Sequence, residues 1–201
     1  MKIVQDSSTR IIFGNGSFDR TLLQEALKKN KDKFCEIELS IPESGLKGKN
    51  LIVNKGIHGV IRFIKNDISK FTSLYIVFID KEHCSGDCIN CIVEISKKYG
   101  IKINESYELS DNVFRFRVSV GSKDFTAYFI FQGKYCCIED FILMSCGMSV
   151  DERRGEGCCE YYKRYYNKLD PESKKQCESR AVNELFNIVK VVLSDVLNRG
   201  T

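Results

Sequence analysis

The sequence predicts an α/β fold with a mostly parallel central sheet, helices on both faces, an added β-hairpin and a helical C-terminal segment. Three observations carry this. Strand-like and helix-like segments alternate through the first hundred residues, the pattern of parallel strands joined by right-handed crossovers. Leu74-Tyr75-Ile76-Val77-Phe78-Ile79 is a continuous apolar run ended by Asp80, as in a central strand buried on both faces. A chain of 201 residues, 43% hydrophobic and 29% charged, suffices for one core. Residues 1–147 are expected to form the α/β domain, and 148–201 a helical segment packed on it.

The elements follow in order. Arg10 to Phe13 is a short apolar strand, and Gly14-Asn15-Gly16-Ser17 punctuates a turn. Leu22, Leu23, Ala26 and Leu27 recur at helical spacing behind Asp19, a candidate N-cap. Phe34 to Ile41 alternates as a strand does and ends at Pro42. Ile57, Val60, Ile61, Ile64 and Ile68 make a helical stripe over Gly56 to Lys70. After the run that ends at Asp80 comes a helix from about Asp87 to Tyr99, then a strand from Ile101 to Leu109. Val113 to Val120 and Phe125 to Phe131 flank Gly121-Ser122-Lys123-Asp124 and read as a hairpin. Glu139 to Met144 begins a helix, and Pro171 suits the first turn of another. Val182, Leu185, Val189, Val192 and Val196 mark a final helix over Ala181 to Leu197.

Composition excludes more than it selects. No apolar stretch reaches the roughly 18 residues needed to cross a bilayer, and Met1 to Arg10 is polar, so the expected location is cytoplasmic with no membrane partner. A net charge of +4 permits a nucleic-acid partner without demanding one. The ten cysteines leave reduced thiols, metal ligands and a thermophile's intracellular disulfides all open.

Asp80 and Glu82 stand one residue apart just after the best strand, where two carboxylates can aim at one point and hold a hard cation such as Mg²⁺ or Mn²⁺. Glu139-Asp140 adds a second acidic pair behind the hairpin, at a helix start where the dipole also favours negative charge. Asp80, Glu82, Glu139 and Asp140 are the expected metal ligands, the first three of them catalytic.

These segments resemble the TOPRIM fold of topoisomerases, primases and OLD-type nucleases, above all the small stand-alone TOPRIM-like proteins. Arg10 to Asp19 takes the place of the family's first strand and turn, Leu74 to Glu82 that of the strand ending in Asp-x-Asp, and Cys137-Ile-Glu-Asp-Phe-Ile-Leu143 that of a later Glu-Asp-Phe segment. The resemblance spans residues 10 to 145 and implies a Mg²⁺- or Mn²⁺-dependent hydrolase of nucleic-acid phosphodiesters. Two departures stand out. Gly14-Asn15-Gly16 replaces the family's Glu, which transfers protons, and Glu82 replaces an Asp. Loss of the proton-transfer group would cost roughly 10²–10⁴ in rate. The alternative is therefore an inactive TOPRIM-like module that binds nucleic acid or a protein.

Cys84, Cys88 and Cys91 form a competing constellation, a C-x₃-C-x₂-C run entering a helix and able to take zinc or an iron–sulfur cluster. The spacing is that of radical-SAM enzymes, but Asn90 stands where they carry an aromatic residue, and the chain beyond is too short for their barrel. His83, Cys136, Cys137, Cys146, Cys158, Cys159 and Cys177 are candidate fourth ligands. Buried thiols or disulfides explain the same cysteines equally well. Arg153, Arg154, Lys163 and Arg164 interleave with Tyr161, Tyr162, Tyr165 and Tyr166, as on surfaces that track phosphates and stack bases, and Arg115 and Arg117 could extend that surface. An amphipathic helix burying its tyrosines is the plainer reading.

Overall fold

The computed structural model describes residues 9–14, 17–29, 51–53, 56–67, 74–84, 86–154 and 157–199. The strand expected over 34–41 and the turn residues Asn15 and Gly16 lie outside them. Six strands make one sheet: β1 (Thr9–Phe13), β2 (Leu51–Val53), β3 (Leu74–Asp80), β4 (Lys102–Ser110), β5 (Val113–Val120) and β6 (Lys123–Gln132), in the order β2-β1-β3-β6-β5-β4. β1 lies parallel to β3, with Ile11 beside Ile76 and Phe13 beside Phe78, as the alternation predicts.

The sheet is mixed rather than mostly parallel. β2, β1, β3 and β6 run parallel, whereas β4, β5 and β6 form an antiparallel meander. The reason lies in the side chains. β4 reads Lys-Ile-Asn-Glu-Ser-Tyr-Glu-Leu-Ser, with every position at least partly exposed, so it belongs at an edge. In β6, Ala127 to Phe131 is buried on both faces, and this strand takes the interior place beside β3.

Successive residues of β3 feed two cores. Ile76 and Phe78 pack with α1 (Ser17–Lys29), α4 (Ile138–Ser145) and α6 (Pro171–Arg199), through Leu23, Ile142, Leu185 and Val189. Tyr75, Val77 and Ile79 face α2 (Gly56–Asp67) and α3 (Cys88–Lys98), through Ile61, Ile64 and Ile92. The stripe Ile57, Val60, Ile61 and Ile64 is buried as expected. Asp87 caps α3 by accepting the Asn90 N–H at 3.0 Å.

Two helix expectations change. Asp19 is the third residue of α1 and not its cap. The final helix does not begin at Ala181: α6 runs unbroken from Pro171 for 29 residues, capped by Asp170, whose Oδ1 accepts the N–H groups of Glu172 and Ser173 at 3.0 Å each. Because Ala181, Val182, Leu185 and Phe186 sit in the same core as β1 and β3, the C-terminal segment shares the domain's interior. α5 (Cys158–Asn167) packs its fully buried Tyr162 among Cys136, Cys137 and Leu143. Among the described residues, three disulfides cross-link these parts, Cys84–Cys91, Cys136–Cys158 and Cys146–Cys177. Among the described residues, no helix is long and apolar enough to cross a membrane.

Candidate metal centre

The parallel strands β3 and β6 end together, with Asp80 directly opposite Gln132. Asp80 is only 2% exposed, and the single 3₁₀ turn Lys81–His83 that follows carries Glu82. After Gln132 the chain must reverse at once to enter α4. Gly133 permits this with φ +93°, and a Cβ there would lie 2.4 Å from the Cys137 backbone nitrogen. The loop then curls around Asp140. That carboxylate accepts backbone N–H groups from Lys134 (2.6 Å), Tyr135 (3.1 Å), Cys136 (2.5 Å) and Cys137 (3.1 Å). Burial pushes the Asp140 carboxyl up, against the pull of the four amides.

Two further bonds lock the strand ends to this loop. Asp80 Oδ1 accepts the Ile138 N–H at 3.1 Å, and the Glu82 N–H donates to the Cys136 carbonyl at 2.8 Å. α5 closes the site from the other side, clamped through the Cys136–Cys158 disulfide.

Two donor sets result. The ligand atoms of Asp80, Glu82 and Cys159 lie within 4.8 Å of one another, as do those of Cys137, Glu139 and Cys159. A third grouping, Glu82 with Cys136 and Cys158, offers no thiolates, because its two sulfurs are bonded to each other. Cys159 Sγ stands 3.8 Å from Glu139 Oε2, and Lys163 Nζ 4.0 Å from Glu139 Oε1. A hydrogen bond with Cys159, then burial, then the charges of Glu139 and Asp80 push the Cys137 thiol far up. Burial acts to lower the Lys163 ammonium, but the charge of Glu139 and the bond to Cys159 outweigh it and raise it.

Of the residues expected from sequence, Asp80 and Glu82 meet, and Glu139 joins the thiols instead of them. Asp140 is in neither donor set, since both its oxygens are spent on the 134–137 amides. Cys84 and Cys91 are joined in a disulfide, which leaves Cys88 as the one thiol of that run, so the three cannot act together as thiolate ligands. Cys137 and Cys159, expected only as candidate fourth ligands to the Cys84 run, stand instead with Glu139. Their signal was the doubled cysteine, Cys136-Cys137 and Cys158-Cys159, on two segments.

A cavity of about 520 Å³ opens beside the centre, lined by Lys81, Lys134, Arg154, Tyr135, Asp87 and Cys88 among others. Arg154 pairs with Glu152 at 2.7 Å and Arg164 with Glu160 at 2.7 Å, both exposed. Arg153 stacks its guanidinium 4.0 Å over the Tyr161 ring. Arg117 is exposed, 3.4 Å from Glu105. Arg115, expected on that surface, is placed elsewhere. It is buried under α6, bonded through Nη1 to both oxygens of Asp195 at 2.9 Å.

Burial acts to raise the Asp195 carboxyl, but hydrogen bonds from Tyr128, Arg115 and Arg199 outweigh it and hold it below the usual carboxylate range. A depressed folded pKa stabilises the protein above the unfolded value, roughly 3.9, and that contribution is lost as pH falls through the folded pKa. Asp195→Asn should therefore cost about 2 kcal/mol at neutral pH and nothing at the acid end. Urea midpoints measured against pH would show it as a flatter acid limb, and an unchanged limb would count against the pairing.

No known protein family, curated protein or solved structure matches the chain.

Proposed function

We propose that the chain is a divalent-cation-dependent hydrolase of nucleic-acid phosphodiester bonds with a TOPRIM-like organisation. The observation that carries the reading is the meeting of Asp80 and Glu82 at the carboxyl end of β3, the place where parallel sheets bind ligands. The donor set fits a hard cation, since Mg²⁺ or Mn²⁺ is held through one or two carboxylates with water or substrate oxygens completing its shell. When bound, it supplies neutralisation of the charge on the transferring phosphoryl group. The Ile138 N–H fixes the Asp80 carboxylate, and the bond from Glu82 N–H to Cys136 fixes the turn that carries Glu82. Lys81, Lys134 and Arg154 line the adjoining cavity together with the acids Asp87, Glu108 and Asp111, so cationic groups are within reach of a phosphate in a lining of mixed charge, and Tyr135 offers a face for a base.

Mn²⁺-dependent cleavage of labelled DNA or RNA should fall by about 10²-fold or more in Asp80→Asn. Cleavage that persists in that variant sinks the reading.

A second reading is favoured by the first turn. The turn reads Gly14-Asn15-Gly16 without the Glu that TOPRIM-like enzymes carry there, and a Cβ on Gly14 would lie 2.9 Å from the Ile79 side chain, which would have to shift to admit one. Nucleic-acid binding without turnover in Mg²⁺ or Mn²⁺ would make the chain an inactive binding module.

The three disulfides favour an oxidising setting. A cytoplasmic place is compatible with them in a hyperthermophile, whose intracellular proteins carry disulfides.

A further inference from the structure

Cys137, Glu139 and Cys159 do nothing in the hydrolase reading, yet the fold goes to some length to bring them together. We propose that they form a zinc-class metal site, separate from the hard-cation position at Asp80 and Glu82.

The first support is placement. Cys137 precedes α4, Glu139 lies in its first turn and Cys159 lies in the first turn of α5, so a single point gathers ligands from two helix starts. All three residues are buried, and their donor atoms lie within 4.8 Å of one another. A tetrahedral zinc site with ligands at about 2.0–2.3 Å needs donors roughly 3.3–3.8 Å apart, a closure within reach of side-chain rotation. The second support is the clamp. Each thiol is the neighbour in sequence of a disulfide cysteine, and the Cys136–Cys158 bond holds the two doubled cysteines face to face.

The third support is donor chemistry. Two sulfurs and one carboxylate form a soft set that suits zinc and is poorly matched to magnesium. Three protein ligands leave a fourth position for water or a substrate atom, the arrangement of catalytic zinc. Charge agrees. On binding, two thiolates and Glu139 would sit close to Asp80 and Glu82, and Lys163, half exposed to solvent, stands 4.0 Å from Glu139. A divalent ion at the sulfurs supplies the balancing charge. Cys159 reaches both donor sets, and the softness of its sulfur assigns it to this one.

The inference does not rest on the hydrolase reading, and one experiment separates them. The full chain, disulfides intact and thiols free, is stripped with chelator and titrated with Zn²⁺ and with Co²⁺. One ion per chain is expected, with a near-ultraviolet sulfur-to-cobalt charge-transfer band that survives Cys88→Ser. Cys137→Ser or Cys159→Ser should remove the band and weaken zinc binding by about 100-fold or more, whereas Asp80→Asn should keep both while losing any Mn²⁺-dependent cleavage. If a serine variant fails to fold, alkylation of the native chain decides: Zn²⁺ should protect Cys137 and Cys159 and leave Cys88 reactive. A cobalt complex without the band, zinc retained by the Cys137→Ser/Cys159→Ser double variant, thiols unprotected by Zn²⁺, or a Cys137–Cys159 disulfide in the isolated protein would overturn it.

Discussion

Replacing Cys146 and Cys177 together by alanine is expected to lower stability by about 3–4 kcal/mol, the largest effect of the three disulfides. Bridging cysteines 31 residues apart removes more unfolded-state freedom than bridging 22, for Cys136–Cys158, or 7, for Cys84–Cys91. In the loop-entropy account the shortest of these is worth roughly 2 kcal/mol. The bond also joins the end of α4 to the first half of α6, so its loss frees the helix that covers β1 and β3. Guanidinium denaturation of the three double-alanine variants should rank them in the order of these separations. A Cys146→Ala/Cys177→Ala protein as stable as its parent would show that packing alone holds α6. Cys177 is itself buried, so part of the cost is lost packing, and a dithiothreitol series on the unmutated chain isolates the covalent part.

Much of the architecture was legible because burial writes itself into periodicity. The run Leu74 to Ile79 is apolar on both faces and becomes the interior strand β3, and Ile57, Val60, Ile61 and Ile64 of the α2 stripe are buried, Ile68 lying outside the described residues. The mostly parallel sheet expected from the alternation of strands and helices is corrected at β4, which pairs antiparallel with β5. The cue for an edge was its composition, polar at Lys102, Asn104, Glu105, Ser106, Glu108 and Ser110, with every position at least partly exposed. The cue for β6 was the mirror image, the apolar run from Ala127 to Phe131. In the site, Asp80 and Glu82 were legible because a strand end fixes both with local geometry. The grouping of the thiols was not, because Cys137 and Cys159 meet only when α5 folds back onto the start of α4, a contact no local pattern encodes. Asp140 misled for the opposite reason. Its sequence position, at a helix start just behind a strand and its loop, suits a metal ligand and a residue that organises a loop equally well.

Asp140→Ala is expected to cost about 4 kcal/mol and to disorganise the metal centre as a whole. The carboxylate is 0% exposed and receives four backbone N–H groups, so its removal strands donors at Lys134 to Cys137 that the surroundings do not otherwise satisfy. Hydrogen bonds to a charged acceptor contribute about 1.5–3 kcal/mol each, and four sharing one group fall well short of additive. Asp140→Asn should cost less, about 2 kcal/mol, because the amide oxygen can keep the three donors that converge on Oδ2 while the amide nitrogen faces the Lys134 N–H. The readout that separates this role from a merely buried side chain is hydrogen exchange. Amides 135 to 137 should lose protection in Asp140→Ala well before those of β3, and partly regain it in Asp140→Asn. The same loop supplies the Cys136 carbonyl to Glu82 and the Ile138 N–H to Asp80, so both donor sets should loosen with it. An alanine variant with parental stability and protected 135–137 amides would mean that Gly133 and the Cys136–Cys158 bond hold the loop without Asp140.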